Sequence, residues 1–271
     1  MEKRLILALA LSLLILLSWS LLTSKFYPID NNRVTENKAE TIIPAPALTP
    51  APVAPSTSLP IATQASPEEL IAVRQAHYTL FFIEREASIQ EALFPSYNSY
   101  KFDLRKGMLL KNLPAAFKKE SLSDGIISFV YRDQEKEVTK RFILSNSSYG
   151  IMLDLEIKNI SAEILHWNVD LQPARVMFSR DQNEARFQDA TLLLDNRIVH
   201  ANLRKNMGVT GLKFLGWRDR YFCGIIEPQN NGYSAFINKI DNATSDLSLT
   251  SADLAIPPGQ SIAQKFHIYL G

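Results

Sequence analysis

Four histidines and one cysteine are the side chains in this sequence best suited to acid–base, nucleophilic or metal chemistry. His77, His166, His200 and His267 have no metal-ligand spacing, so a metal site would require them to converge in space. Cys223 is the only cysteine, which excludes an internal disulfide and a thiolate cluster. We expect Cys223 to act as a small buried hydrophobic residue. The sequence therefore predicts no metal, no cofactor and no catalytic residue.

Carboxylates are the remaining candidates for catalysis. Asp181, Glu184 and Asp189 lie close together in a polar stretch that is typical of a solvated loop. Two carboxylates that cleave a sugar must be held at a fixed separation on rigid elements, and this stretch gives no sign of that. The nucleophile elbow, the P-loop and the dinucleotide-binding glycine pattern are also missing. We expect a protein that is not an enzyme.

The most unusual local feature is an aromatic and basic stretch, LGWRDRYFCGIIEP. Aromatic residues and arginine are enriched at binding hot spots. The candidate contacts with a protein partner are Trp217, Arg218, Arg220 and Tyr221.

The same stretch also fits a β-hairpin whose aromatic rings pack in the core. Gly216 and Asp219 would mark the bend, and alternation would turn the rings inward. Large aromatic side chains in strands are usually buried, which favours this second interpretation.

Charge excludes one class of partner. The chain has 29 Lys and Arg against 28 Asp and Glu, and residues 68–271 have 24 of each. Without a basic stripe there is little to release counterions from a polyanion, so we expect no nucleic-acid binding.

The fold is predicted from a hydrophobic period of two. In IMLDLEIKN, Ile151 to Ile157 alternate between apolar and mostly polar positions, and SIAQKFHIYLG repeats the pattern with only Gln264 interrupting. Similar short runs are separated by clusters of turn residues along the chain. This pattern predicts an all-β antiparallel sandwich over residues 68–271.

The N-terminal residues are predicted to anchor this sandwich. Residues 5–24 are uncharged and long enough to span a bilayer, although a cleaved signal peptide is the alternative. The charges of Lys3 and Arg4 favour a cytoplasmic tail at residues 1–4. Residues 25–67 are rich in proline and alanine, which predicts a linker. The SPEE sequence at the end of this linker is predicted to form at most one helical turn.

Several stretches together resemble the N-terminal half of a YidC-type membrane protein insertase of the YidC/Oxa/Alb family. They are MEKRLILALALSLLILLSW, VTKRFILSNSSYGIMLDLEIKNIS, GWRDRYFCGIIEP and LAIPPGQSIAQKFHIYLG, in that order. The resemblance implies a Gram-negative inner membrane, a cytoplasmic N-terminus and a single pass in this chain. It also implies a periplasmic β super-sandwich similar to galactose mutarotase.

The resemblance also shows two departures from the family. The insertion work of the family is done by a bundle of transmembrane helices that follows the closing Y-x-G strand, and no second apolar run of that length occurs after Ser24. The chain would then be an incomplete or split insertase. In REASIQEALF, Ala87 and Ser88 occupy a turn that usually contains glycine in the family.

Two hypotheses about function follow. In the first, the chain is an anchored periplasmic scaffold that contacts nascent membrane proteins or Sec translocon components such as SecDF. In the second, it is a membrane-tethered sugar-binding or mutarotase-like enzyme that uses a histidine and a carboxylate. The first is favoured because the histidines have no evident carboxylate partner, and a shared fold does not transfer chemistry.

Overall fold

The computed structural model describes residues 70–195 and 197–271. The predictions for the tail, the membrane anchor, the linker and the SPEE turn lie outside these residues. Within them, no helix has both the length and the apolar character needed to cross a membrane.

Short antiparallel strands make up most of the described chain. In chain order they are β1 (Leu70–Arg74), β2 (Thr79–Ile83), β3 (Ser88–Phe94), β4 (Tyr100–Gly107), β5 (Leu109–Leu110), β6 (Lys118–Ser123), β7 (Ile126–Arg132), β8 (Lys136–Leu144), β9 (Gly150–Asn159), β10 (Leu165–Trp167), β11 (Asp170–Gln172), β12 (Arg175–Met177), β13 (Asp189–Leu194), β14 (Arg197–Ala201), β15 (Met207–Val209), β16 (Leu212–Arg218), β17 (Cys223–Pro228), β18 (Ser234–Lys239), β19 (Thr244–Thr250), β20 (Leu254–Ile256) and β21 (Ser261–Leu270). A 3₁₀ turn (Pro95–Tyr97) and a short helix α1 (Gln182–Ala185) accompany them. The predicted all-β class is confirmed.

The largest layer is a nine-stranded sheet with the order β14-β13-β16-β17-β21-β9-β8-β7-β6. Its long central strands are those with the clearest alternation in the sequence. Leu153 of β9 pairs with Phe266 of β21, and both side chains are fully buried. The predicted period of two therefore gives the correct inward face of both strands.

Smaller sheets complete the fold. One has the order β1-β2-β3-β4, and another has the order β15-β18-β19-β11-β5 with β12 also paired to β19. Strands β10 and β20 form a separate ribbon.

Aromatic contacts show that the smaller sheets face the nine-stranded sheet across a common core. Phe82 of β2 packs against Phe142 of β8 with ring centroids 5.0 Å apart. Tyr233, which precedes β18, lies 5.4 Å from Phe266 and donates a 3.0 Å hydrogen bond to Oε1 of Gln264. Gln264, which interrupts the apolar face of β21, therefore has a buried partner on the opposite layer.

A buried lysine also joins the layers. Lys140 of β8 is fully buried, and its Nζ donates to the carbonyl oxygens of Ala87 and Met108. Its ammonium group also lies over the rings of Phe117 and Phe142. Carbonyl acceptors and ring faces compensate part of the cost of removing the charge from water.

The turn in which the family usually has glycine has a left-handed residue here. Ala87 closes the turn between β2 and β3 by donating its N–H to the carbonyl of Glu84, with φ of 46°. This conformation is unfavourable for alanine and suits glycine. The departure from the family is therefore in residue type, since the backbone still adopts a glycine-like turn.

Two local predictions are wrong. Glu184 lies within α1 and Asp189 begins strand β13, so neither is in a loop, whereas Asp181 lies in the loop before α1 and caps that helix by accepting from the N–H of Asn183. Gly216 is not a bend residue, because it pairs with Thr191 and Ile225 inside the nine-stranded sheet.

Candidate binding cleft

The hairpin between β16 and β17 forms one wall of a cleft. Asp219 Oδ1 accepts from the N–H groups of Tyr221 and Phe222 at 2.8 and 2.9 Å, and the Asp219 N–H donates to the Phe222 carbonyl. These bonds fix a tight turn, as Asp often does. Tyr221 is consequently 63% exposed, while Phe222 is buried. The predicted hairpin at Asp219 is confirmed.

The connection between β3 and β4 forms the adjoining wall. The 3₁₀ turn places Tyr97 at the surface, 54% exposed, and Asn98 follows with φ of 56°. Tyr100 begins β4 and stacks on Phe222, with ring centroids 4.6 Å apart and an interplanar angle of 9°. The Tyr100 hydroxyl donates a 2.6 Å hydrogen bond to Oδ2 of Asp219. The two walls are thus joined directly.

A third side comes from the turn between β8 and β9 and from the end of β21. The rings of Tyr149 and Tyr269 lie 6.1 Å apart at a steep angle. Gly271 is held by reciprocal backbone hydrogen bonds of 2.8 and 3.0 Å with Cys223 of β17. This side therefore rests on the paired strands β21 and β17.

Together the three sides enclose a cleft of about 680 Å³. Ligand sites are commonly clefts of about 300–1,000 Å³ with mainly apolar and aromatic walls. The eight lining residues are Tyr97, Asn98, Tyr100, Tyr149, Tyr221, Phe222, Tyr269 and Gly271. We call this the tyrosine cleft.

The pKa values of two hydroxyls in the tyrosine cleft are raised, those of Tyr100 and Tyr149. Burial, together with the hydrogen bond to Asp219, raises the pKa of Tyr100 well above its ordinary value. Interaction with the Tyr97 hydroxyl is the main reason that the pKa of Tyr149 is raised. Tyr100 and Tyr149 are therefore neutral phenols, which can donate and accept hydrogen bonds but are poor acids or bases at neutral pH.

Ion pairs lie beside the hairpin. Arg218 binds Asp189 through two hydrogen bonds of 2.7 Å, and Arg220 binds Glu184 at 2.8 Å. Each guanidinium is thus matched by a carboxylate, so this edge has no net charge from these four groups.

The four predicted contact residues have different surroundings in the structure. Tyr221 lines the cleft, and Arg218 and Arg220 are in the ion pairs described above. Trp217 is only 3% exposed and packs over Gly224, where an added Cβ would lie 2.2 Å from the ring. Trp217 is therefore a core residue, as the hairpin interpretation predicts, and it is not accessible to a partner in this structure. A role of the other three in binding stays a prediction.

Sequence reasoning missed the other tyrosines of the cleft. Tyr97 and Tyr149 stand next to the turn segments Asn98-Ser99 and Asn146-Ser147-Ser148. An exposed aromatic residue beside a turn was the available signal, but the sequence does not show that these turns meet.

Among the groups best suited to catalysis, His77 packs against the lining residue Tyr149 with ring centroids 5.2 Å apart, whereas His166 and Cys223 lie outside the lining of the tyrosine cleft. His166 contacts Asp253 at 2.7 Å on the exposed surface of the β10–β20 ribbon, outside the lining of the tyrosine cleft. Cys223 is half-buried, and burial raises the pKa of its thiol, which disfavours the thiolate. Within residues 70–195 and 197–271, no three His, Cys, Asp or Glu side chains are grouped so that they could hold a metal ion.

Several solved structures with a similar fold are proteins named for sugar chemistry. A galactose mutarotase-like protein from Lactobacillus casei has a TM-score of 0.59 at 8% identity, covering 75% of this chain and 100% of that one. A GalM/aldose epimerase homologue from C. elegans has a TM-score of 0.51 at 9% identity, covering 75% and 98%. An α-galactosidase from Geobacillus stearothermophilus has a TM-score of 0.51 at 10% identity, covering 75% and 40%. At these identities the likeness shows the fold alone.

Sequence comparison gives a different relationship. A search of curated proteins found no match. A family model described as the YidC periplasmic domain matches residues 114–271, which is more than half of the chain and includes the hairpin and the last strand. The resemblance seen in the sequence is thereby confirmed, and the chain belongs to the YidC periplasmic domain family.

Proposed function

We propose that this chain is the N-terminal part of a membrane protein insertase and aids insertion and folding of inner-membrane proteins. Residues 5–24 anchor it in a single pass from a cytoplasmic N-terminus, and residues 25–67 are the spacer. Residues 68–271 form the periplasmic domain, which binds and positions other proteins. Family membership and the uncharged run of residues 5–24 support this assignment.

The observation that carries the binding role is the composition of the tyrosine cleft. Its walls are aromatic rings held by a hydrogen-bonded turn and by paired strands, so the site is already formed without a ligand. Tyrosine presents a large contact area with few rotatable bonds, which is why it is enriched in binding surfaces. The proposed partners are nascent membrane proteins and Sec translocon components such as SecDF.

The same composition argues against an enzyme at this site. The lining residues are tyrosine, phenylalanine, asparagine and glycine, without a histidine or carboxylate. Anomer interconversion requires groups that transfer protons near neutral pH. The mutarotase-like fold is therefore interpreted as a scaffold, and the sugar-enzyme alternative is not preferred.

The test is an insertion assay with cleft variants in the host cell. Tyr97→Ala and Tyr221→Ala remove exposed rings from two different walls, and Ile198→Ala removes an exposed apolar side chain from edge strand β14. We expect the two tyrosine variants to reduce the inserted fraction of reporter membrane proteins, and the isoleucine control to leave it unchanged. Normal insertion in both tyrosine variants would contradict the proposal. So would clear anomer interconversion of an aldose by the purified full chain.

A further inference from the structure

We infer that Asn231 is a site of spontaneous covalent modification, at which the backbone nitrogen of Gly232 displaces the side-chain amide and Lys213 promotes the attack. The reaction needs no reactant besides water. The inference is independent of the proposed binding function, because Asn231 lies in the connection between β17 and β18 and does not line the tyrosine cleft.

The first requirement is an asparagine that is followed by glycine. Asn231-Gly232 is the only such pair in the sequence. A glycine has no Cβ to obstruct the approach of its own nitrogen to the preceding side chain, and its backbone reaches conformations that other residues rarely adopt. Gly232 has a φ of 90°, and a Cβ added there would meet no atom within 4 Å. The backbone next to the reacting nitrogen is therefore uncrowded.

The two reacting groups are accessible in the folded protein. Asn231 and Gly232 are both exposed to solvent. In the described part of the chain, the N–H of Gly232 has no backbone acceptor. No backbone hydrogen bond of this N–H therefore has to break before its nitrogen attacks the side chain of Asn231, and water can reach the product.

Lys213 activates the amide of Asn231. Its Nζ donates a 3.2 Å hydrogen bond to Oδ1 of Asn231. A cationic donor on this oxygen withdraws electron density from Cγ, and it stabilises the negative charge that develops on Oδ1 when the nitrogen adds. Lys213 is exposed, so water competes with its ammonium group and the effect on the rate is modest.

The atoms balance with water as the only co-reactant. The Gly232 nitrogen forms a bond to Cγ of Asn231, the bond from Cγ to Nδ2 breaks, and Nδ2 leaves as ammonia with the proton of the Gly232 N–H. The product is a cyclic imide. Water then adds to one of the two ring carbonyls and breaks its bond to the Gly232 nitrogen, which regains a proton. Opening at Cγ gives aspartate, and opening at the backbone carbonyl gives a β-linked aspartate.

Asn230 provides an internal comparison in the same turn. It is also exposed, but its Oδ1 accepts from the backbone N–H of Lys265 at 3.2 Å. The residue that follows it is Asn231, which has a side chain where glycine has none. Asn230 should therefore remain an amide under conditions in which Asn231 reacts.

The test is incubation of the purified full chain in detergent, at neutral pH, in water enriched with a heavy oxygen isotope. Digestion in ordinary water and mass spectrometry then locate the label, because hydrolysis of the imide places a heavy oxygen in the new acid. We expect label at residue 231 and none at residue 230. Lys213→Met should slow the labelling by about twofold to fivefold. Asn231→Gln should abolish it, since the longer side chain closes a larger ring, and circular dichroism should show that both variants are folded.

Two further readouts report the chemistry of the product. The labelled fraction should contain both α-linked and β-linked aspartate, because the imide opens at either carbonyl. Isoelectric focusing should show a more acidic form, since the formal net charge of the sequence falls from +1 to 0 when one amide becomes an acid. The inference would be overturned by absence of label at residue 231, by equal label at residues 230 and 231, by α-linked aspartate alone, or by an unchanged rate in Lys213→Met.

Discussion

The hydroxyl of Tyr100 donates a 2.6 Å hydrogen bond to Oδ2 of Asp219, which lies 119 residues further along the chain. Tyr100 belongs to the sheet of β1 to β4, and Asp219 belongs to a turn of the nine-stranded sheet. The other carboxylate oxygen, Oδ1, accepts the two N–H groups that shape the turn. One carboxylate therefore fixes the hairpin and joins the two layers at the tyrosine cleft.

This relationship predicts different effects of Tyr100→Phe and Asp219→Ala. The phenylalanine variant keeps the ring stack on Phe222 but loses one hydrogen bond to a charged group. Its free energy of unfolding should therefore be lower by about 1–3 kcal/mol. The alanine variant loses that bond and also frees both turn N–H groups, so its loss should be larger. Urea unfolding of both variants is the measurement. Equal losses would contradict a role of Asp219 in the turn.

A second prediction concerns the packing of Trp217 over Gly224. A Cβ at residue 224 would lie 2.2 Å from the indole ring, so Gly224→Ala should force the ring aside and destabilise the protein by about 1–3 kcal/mol. In a Trp217→Ala background the same change should cost little, since the clash is gone. A double-mutant cycle from denaturant unfolding measures this coupling. An equal cost of Gly224→Ala in both backgrounds would contradict the packing argument.

A third prediction compares two bidentate ion pairs. Arg175 binds Asp246, whose side chain is 7% exposed, at 2.6 and 2.8 Å. Arg218 binds Asp189, whose side chain is 28% exposed. Arg175→Met leaves a buried carboxylate unpaired and should lower the free energy of unfolding by about 3–5 kcal/mol. Arg218→Met should lower it by about 1 kcal/mol or less. Thermal and urea unfolding of both variants are the measurements. Equal stability of the two variants would contradict this order.

A fourth prediction is a pH dependence that arises from Lys140. Burial lowers the pKa of Lys140 to about 7, against an ordinary value of 10.5, and the charge of Glu86 opposes the shift. Between these values the unfolded chain binds one more proton at this residue than the folded protein. The contribution of Lys140 to the free energy of unfolding should therefore rise with pH across this window, by up to about 1.4 kcal/mol per pH unit. Below about pH 7 this contribution should not change with pH.

Lys140→Met isolates this effect because other titrating groups are shared. We expect the unfolding free energy of the natural protein to rise relative to the variant between about pH 7 and 10.5. A difference that stays constant with pH would mean that the pKa of Lys140 is the same in both states.

The inward and outward faces of the long strands are readable from the sequence, while cross-layer partners are not. The alternation from Ile151 to Ile157 predicts the buried face of β9, because a strand places every second side chain on the same side. The same alternation marks Gln264 only as an interruption. Its hydrogen bond from Tyr233 depends on how two sheets are stacked, which no local pattern encodes.

The hairpin at Asp219 shows the limit for side-chain roles. Its aromatic and basic composition fits both a contact surface and a core hairpin. Trp217 is buried because register places it opposite Gly224, and Tyr221 is exposed because it lies in the turn. These assignments need the register, so composition alone leaves them open.

The tyrosine cleft was even less accessible to sequence reasoning. Its rings come from separate turns and strands that are distant in the chain and meet only through the topology of the sheets. Each tyrosine by itself looks like an ordinary exposed or half-buried aromatic residue.

The most direct measurement is site-specific photocrosslinking from the cleft in native membranes. A photoreactive amino acid replaces Tyr221 in the full chain, with a matched replacement of Ile198 on β14 as the control. We predict light-dependent adducts from residue 221, identified by mass spectrometry as membrane proteins in the course of insertion or as Sec components, and none of these from residue 198. Absence of such adducts from residue 221, or the same adducts from both positions, would contradict a binding role for the tyrosine cleft.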